Sequence, residues 1–178
     1  MTFTSHYNDL EDVVKWAKTQ GFYTEPFALA GHSLGAIACV LYASKFPKKV
    51  DLLVSASLPW LDGKKADGNK EALEAIKRDG FWSKHSESTG KTFKFYQNYY
   101  DDTAKYNLTN VVKNITANTF IVVGLKDAEA HIESNKQLYQ LLKCKRELIL
   151  LENVPHDLAN TPETKEIFSK AISDLLKQ

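Results

Sequence analysis

FALAGHSLGAIACVLYASKFP, residues 27–47, runs from a short uncharged stretch through Gly31-His32-Ser33-Leu34-Gly35 into an Ala-rich segment that stops at Pro47. Residues 27–30 have the composition of a strand buried on both faces. Residues 34–46 are apolar nearly all round, as a buried helix is, and a proline cannot continue that helix. A second apolar run, 50–56, follows at once. Strand, tight turn, helix and strand make a βαβ unit with a right-handed crossover.

The pattern extends in both directions. Upstream, Leu10, Val13, Val14 and Ala17 share one helical face. Asn8 and Glu11 suit a capping-box start and Gly21 a left-handed stop, so a helix is expected over 8–20. Downstream, 119–123 and 147–151 read as two more buried strands with a helix over 132–143 between them. The last helix opens with Thr161 as N-cap and Pro162 at its first position, and carries Ile167, Phe168, Ala171, Ile172 and Leu175 as its stripe. The four strands 27–30, 50–56, 119–123 and 147–151 alternate with helices. That predicts an α/β fold with a mostly parallel, doubly wound sheet.

Residues 60–116 break the pattern. Lys, Asp and Gly dominate 62–70, a short helix fits 71–78, and aromatics crowd 81–106 without strand alternation. This stretch reads as a helical and irregular cap inserted into a single domain spanning 1–178.

The 178 residues, 43% of them hydrophobic, suffice for one ordinary core. The 23 basic and 22 acidic side chains are interspersed along the chain, which argues against a nucleic-acid partner. No apolar run approaches the roughly 20 residues of a membrane span. The first residues lack the basic start and apolar middle of a signal peptide, so a cytoplasmic location is expected. Cys39 and Cys144 have no metal-ligand or redox-motif spacing. Neither a metal nor an organic cofactor is expected.

In a doubly wound sheet, functional groups gather beyond the carboxyl ends of the strands. Three such ends carry Ser33, Asp127 and His156. A serine hydroxyl is a weak nucleophile and needs an imidazole to accept its proton; the imidazole needs an acceptor on its other nitrogen. Each residue also has an ordinary structural use. Ser33 suits a helix N-cap, Asp127 a turn or cap with Glu129 as a nearby substitute, and His156 a loop. Gly31 and Gly35 flank Ser33 at the spacing where side chains would collide with the crossing strand and helix. At that helix start the Leu34 backbone N–H is placed to bind a developing oxyanion. The side chain of His32 is expected to point away from Ser33 and pack near the acid loop. His6, His85 and His131 read as solvated, and Asp157 as a surface or turn residue.

Gly-His-Ser-Leu-Gly after a buried strand, Gly-Leu-Lys-Asp at 124–127 and Val-Pro-His-Asp at 154–157 together resemble the nucleophile elbow, acid and histidine of the α/β-hydrolase fold family. The resemblance covers nearly the whole chain and puts residues 60–116 where the family inserts a lid. It implies a serine hydrolase with Ser33 as nucleophile, His156 as base and then acid, and Asp127 orienting the histidine. The aromatic segment is similar to esterases of the feruloyl/cinnamoyl-esterase and monoacylglycerol-lipase type, implying small to medium acyl or aryl esters as substrates.

The family normally has about four more strands before the 8–20 helix, and one of their loops supplies the second oxyanion donor. No second donor is found in this chain, and loss of one donor commonly lowers the rate by about 10²–10³. Strand 27–30 is expected to expose an open edge, explained by a truncated fragment, by a partner chain that covers it, or by a homodimer. The alternative to an enzyme is a non-catalytic or weakly active half-protein that pairs through that edge.

Overall fold

All five residues of 52–56 are buried, and the sheet is built around them. The computed structural model describes residues 2–21, 23–65, 70–86, 90–158 and 161–176. The strands are β1 (Ala28–His32), β2 (Leu52–Ala56), β3 (Trp82–Ser86), β4 (Lys91–Phe95), β5 (Asn118–Gly124) and β6 (Arg146–Leu151). The helices are α1 (Phe3–Thr19), α2 (Leu34–Lys45), α3 (Lys70–Asp79), α4 (Gln97–Thr103), α5 (Glu129–Leu141) and α6 (Pro162–Leu176). The main sheet has the order β1-β2-β5-β6, and every pairing in it is parallel.

Alternate residues of β2 feed two cores, as the period of two requires. Leu53 joins Leu29 and Ile121 beneath α2 and α5, where Ile37, Val40, Leu138 and Leu142 pack. Leu52, Val54 and Ala56 join Phe120 and Val122 against Leu158 and Ile167 on the α6 side. Helices therefore cover both faces, and the expected doubly wound α/β sheet is present. The register aligns His32 with Ala56, Ala56 with Val122 and Val122 with Ile149. The loops that leave β1, β5 and β6 consequently emerge at one end of the sheet.

Several local expectations need correction. Helix α1 starts at Phe3 rather than at residue 8, because Thr2 and Ser5 form the capping box in place of Asn8 and Glu11. The longer helix buries Phe3 completely and sets its ring edge-on to Trp60 and Tyr106. Helix α5 likewise begins at Glu129, ahead of the expected 132. The final helix is capped as read: the Thr164 N–H donates to Thr161 Oγ1 at 3.3 Å. Of its expected stripe Ile167 is buried, and the side chains of Phe168 and Ala171 and of Ile172 and Leu175 lie outside the described residues.

The cap is not free of strands. β3 and β4 form an antiparallel hairpin, with Trp82 paired to Phe95 across it. The rings of that pair lie 5.6 Å apart. Apolar alternation is missing because most of the hairpin residues are exposed, so Lys, Ser and Thr occupy rungs that a buried strand would fill with Val or Ile. The cap is tied to the start of α1 through buried Asp102 on α4, which accepts the Thr4 backbone N–H at 2.8 Å and the Thr4 hydroxyl at 2.7 Å. Among the described residues β1 pairs with β2 alone, and Ala28 and Ala30 are exposed. No helix among the described residues is long and apolar enough to cross a membrane.

Among the described residues Gly31, Gly63 and Gly124 are required by close approach to backbone, and Gly31 and Gly124 lie beside the predicted site residues. A Cβ on Gly31 would lie 2.3 Å from the Gly35 carbonyl oxygen, and one on Gly124 would lie 2.1 Å from the Val154 carbonyl oxygen. The second contact packs the end of β5 against the segment that carries His156. Gly35 differs from expectation, because a Cβ there meets nothing within 4 Å. Gly31→Ala and Gly124→Ala are each expected to destabilise the protein by about 3 kcal/mol, since backbone must move to admit the methyl. Gly35→Ala, inside the first turn of α2, is expected to be neutral or stabilising by up to about 1 kcal/mol. Urea unfolding of the three variants measures this contrast.

Candidate active site

Ser33 sits between the last residue of β1 and the first of α2 with φ 56° and ψ −124°. A serine rarely adopts such angles, and they cost on the order of 1–3 kcal/mol. The surroundings hold them in place. The Ser33 N–H donates to Ala56 O at 2.9 Å, while the Ser33 carbonyl accepts from Ala36 N at 3.0 Å and Ile37 N at 3.3 Å. Gly31 makes the crossing possible by letting strand and helix backbones touch. The sharp turn directs the hydroxyl out of the sheet.

The structure brings the three predicted side chains together. Ser33 Oγ lies 3.1 Å from His156 Nε2. His156 Nδ1 lies 2.9 Å from Asp127 Oδ2 and 3.1 Å from Oδ1. An ionised carboxylate only accepts, so His156 carries its proton on Nδ1. Its Nε2 lone pair is then free to accept from the Ser33 hydroxyl. The side chain of Asp127 is 1% exposed and that of His156 is 36% exposed, so a dry acid supports a histidine that reaches the solvent.

Asp127 is engaged more heavily than the sequence suggests. Its Oδ1 also accepts from His131 Nδ1 at 2.8 Å and from the Ala128 N–H at 2.7 Å. Burial pushes the carboxyl up, but the hydrogen bonds from His131 and His156, the attraction to His156 and the Ala128 N–H outweigh it. The group is held well below the usual carboxylate range. The Glu129 side chain, the other acid considered, lies outside the described residues.

His131 corrects the expectation of a solvated side chain. It is 25% exposed and bonded to Asp127, and its ring centroid lies 4.9 Å from that of His156. The sequence does contain a signal for this, since Asp127 and His131 stand at i, i+4 across the start of α5. Asn135, one turn further on and fully buried, fixes that turn: its amide donates to Leu58 O at 2.9 Å and to His131 O at 2.8 Å. His32 leans on the histidine segment rather than the acid loop, with Nε2 donating to the His156 carbonyl at 2.7 Å. Its ring centroid is 4.8 Å from that of His156, so His156 has an imidazole neighbour in both His32 and His131. His6 is half-buried, whereas His85 and Asp157 are exposed. Cys39 is buried, which pushes its thiol up to about 12.

A cleft of about 280 Å³ opens over Ser33 and His156. Trp60, Trp82, Phe95, Tyr99 and Tyr100 line it, together with Leu34, the residue after the serine. The cap aromatics therefore line the space in front of the hydroxyl as well as packing on one another. Asp127, His131 and His156 offer ligand atoms within 4.8 Å of one another, a spacing that a divalent ion would accept. All three of those side chains are already joined by the hydrogen bonds given above.

The profile of the family described as "Prolyl oligopeptidase family" matches residues 3–165. No curated protein matches the chain in sequence. Among solved structures, mouse alpha/beta hydrolase domain-containing protein 10 is similar at 18% identity and a TM-score of 0.75, over 99% of this chain and 70% of that one. The alpha/beta hydrolase GrgF from Penicillium sp. sh18 aligns at 18% identity and a TM-score of 0.77, over 99% and 72% of the two chains. The monoacylglycerol lipase of Paleococcus ferrophilus aligns at 18% identity and a TM-score of 0.69, over 98% and 74%. The chain therefore belongs to the prolyl oligopeptidase family and is a hydrolase with the α/β-hydrolase fold.

Proposed function

We propose that the protein hydrolyses carboxylic esters through an acyl-enzyme on Ser33. The single observation that carries this reading is the hydrogen-bonded series from Ser33 through His156 to buried Asp127, opening on an aromatic cleft. Ser33 Oγ attacks the ester carbonyl as His156 Nε2 takes its proton. The Leu34 backbone N–H, at the start of α2, supports the oxyanion. His156 then protonates the departing alcohol and activates the water that releases the acid, while Asp127 keeps the imidazole in the required tautomer. No cofactor enters these steps.

Two considerations favour esters over peptides, although the family takes its name from peptidases. An alkoxide or phenoxide departs far more readily than an amine, so a site with one identified oxyanion donor handles esters first. The similarity to a monoacylglycerol lipase agrees with this choice. The test is reaction with a fluorophosphonate probe, followed by mass spectrometry of the peptides and by assays with p-nitrophenyl acetate, p-nitrophenyl butyrate and a proline p-nitroanilide. The expected result is one adduct, on Ser33, with turnover of the esters ahead of the anilide. An adduct on another residue, or none, would overturn the reading.

A second reading, a weakly active half-protein that pairs through residues 27–30, draws on the single-sided pairing of β1 among the described residues. A stable monomer by light scattering that turns over esters excludes it.

A further inference from the structure

The charge in the cleft is one-sided. Of the described residues lining it, Lys84 alone is permanently charged, and none is acidic. The strand pleat explains its direction: Trp82 and Lys84 are two apart on β3, so they share a face, and Trp82 is part of the cleft wall. Phe93 and Phe95 stand opposite them on β4, with Lys91 further along the same face. Lys94, on the other face, lies 4.0 Å from the Phe81 ring centroid. Among the described residues Lys84 has no ion pair, whereas Lys105 and Lys45 are paired with carboxylates. An ammonium at the rim of an aromatic cleft suits a ligand with an apolar body and an anionic end.

We propose that Lys84 forms an anion subsite, so that the preferred substrates are esters bearing a carboxylate on an aryl or acyl body. This deepens the ester-hydrolase reading and rests on it for the reaction, but the binding event is testable without turnover. Trp60 and Trp82 lie in the cleft and the third tryptophan, Trp16, is exposed on α1, so quenching of tryptophan emission reports on the cleft.

The probes are 3-phenylpropanoate and its neutral counterpart 3-phenylpropanamide, titrated against wild type, Lys84→Gln and Lys84→Glu. The carboxylate is expected to bind about tenfold more tightly than the amide at low salt, with the preference shrinking as salt screens the charge. Lys84→Gln should remove the preference and Lys84→Glu should reverse it. Equal affinities in wild type, no saturable quenching by either compound, or a preference that survives in Lys84→Gln would overturn the proposal. The last result would place the carboxylate at the Leu34 N–H instead.

A parallel assay separates the two ideas. In wild type, kcat/KM for mono-p-nitrophenyl glutarate should exceed that for p-nitrophenyl butyrate, and the ratio should fall about tenfold in Lys84→Gln. Selective carboxylate binding without hydrolysis of either ester refutes the ester-hydrolase reading and leaves the subsite standing. Hydrolysis of both esters at ratios unaffected by Lys84→Gln refutes the subsite alone.

Discussion

Ser33→Ala is expected to lower kcat for p-nitrophenyl butyrate by about 10⁴–10⁶-fold and to abolish the fluorophosphonate adduct. The hydroxyl is the one group in the cleft that combines a strained, outward-pointing backbone with an imidazole acceptor at 3.1 Å. Its removal deletes the covalent route and leaves only binding and the Leu34 N–H, which together sustain a small residual rate. KM should change little, because the aromatic walls that hold the substrate are untouched. Steady-state kinetics on wild type and variant, with circular dichroism to confirm the fold, test this. A variant that keeps a tenth of the activity would assign the chemistry to another group.

Asp127→Asn is expected to lower kcat by about 10⁴-fold with little change in KM. The physical reason is the tautomer. The amide of an asparagine turns a donor toward a histidine Nδ1 that now donates to the carboxylate. His156 would then move its proton to Nε2 and lose the capacity to accept from Ser33. Because one carboxylate serves both His156 and His131, a single amide cannot satisfy the pair as the wild-type oxygens do.

The same substitution has a stability signature. The carboxyl of Asp127 is held below its ordinary value in the folded protein, so its contribution is fully present above the unfolded carboxylate range. It is lost as pH falls from about 4 toward the lower folded value, where the unfolded chain binds the proton first. The wild-type urea midpoint should therefore fall across that acid window, and the Asn variant, lacking this group, should show a shallower fall. An identical slope in the two proteins would mean that the ionised carboxylate adds nothing to the fold.

The sheet was legible because its strands are short, predominantly apolar runs between helical patterns; β2 and β5 are buried along nearly their whole length, whereas β1 and β6 keep exposed residues, Glu147 and Leu150 among them. Ser33, Asp127 and His156 were legible because each directly follows one of those runs, and the parallel register gathers their ends. What remained hidden depends on contacts distant in the chain. The hairpin of β3 and β4 is solvated, so its rungs lack the apolar alternation by which strands are read. Thr2 and Ser5 displace Asn8 and Glu11 as the cap because Phe3 finds a buried site against Trp60 and Tyr106. His131 reads as a surface histidine until α5 starts three residues early and turns it onto Asp127. The need for Gly124 arises only where the His156 segment crosses β5.

The hydrogen bond from the Ser33 amide to Ala56 O adds one rung to the β1–β2 ladder beyond the end of the strand. The unfavourable dihedral angles of the serine are thus anchored in the sheet and not in a loop. Relaxing them means breaking that rung against β2, all five of whose residues are buried, a costlier opening than the fraying of a loop. Ordinary fluctuations of the cap can alter what enters the cleft, while the Ser33 backbone keeps its place for as long as its bond to β2 holds.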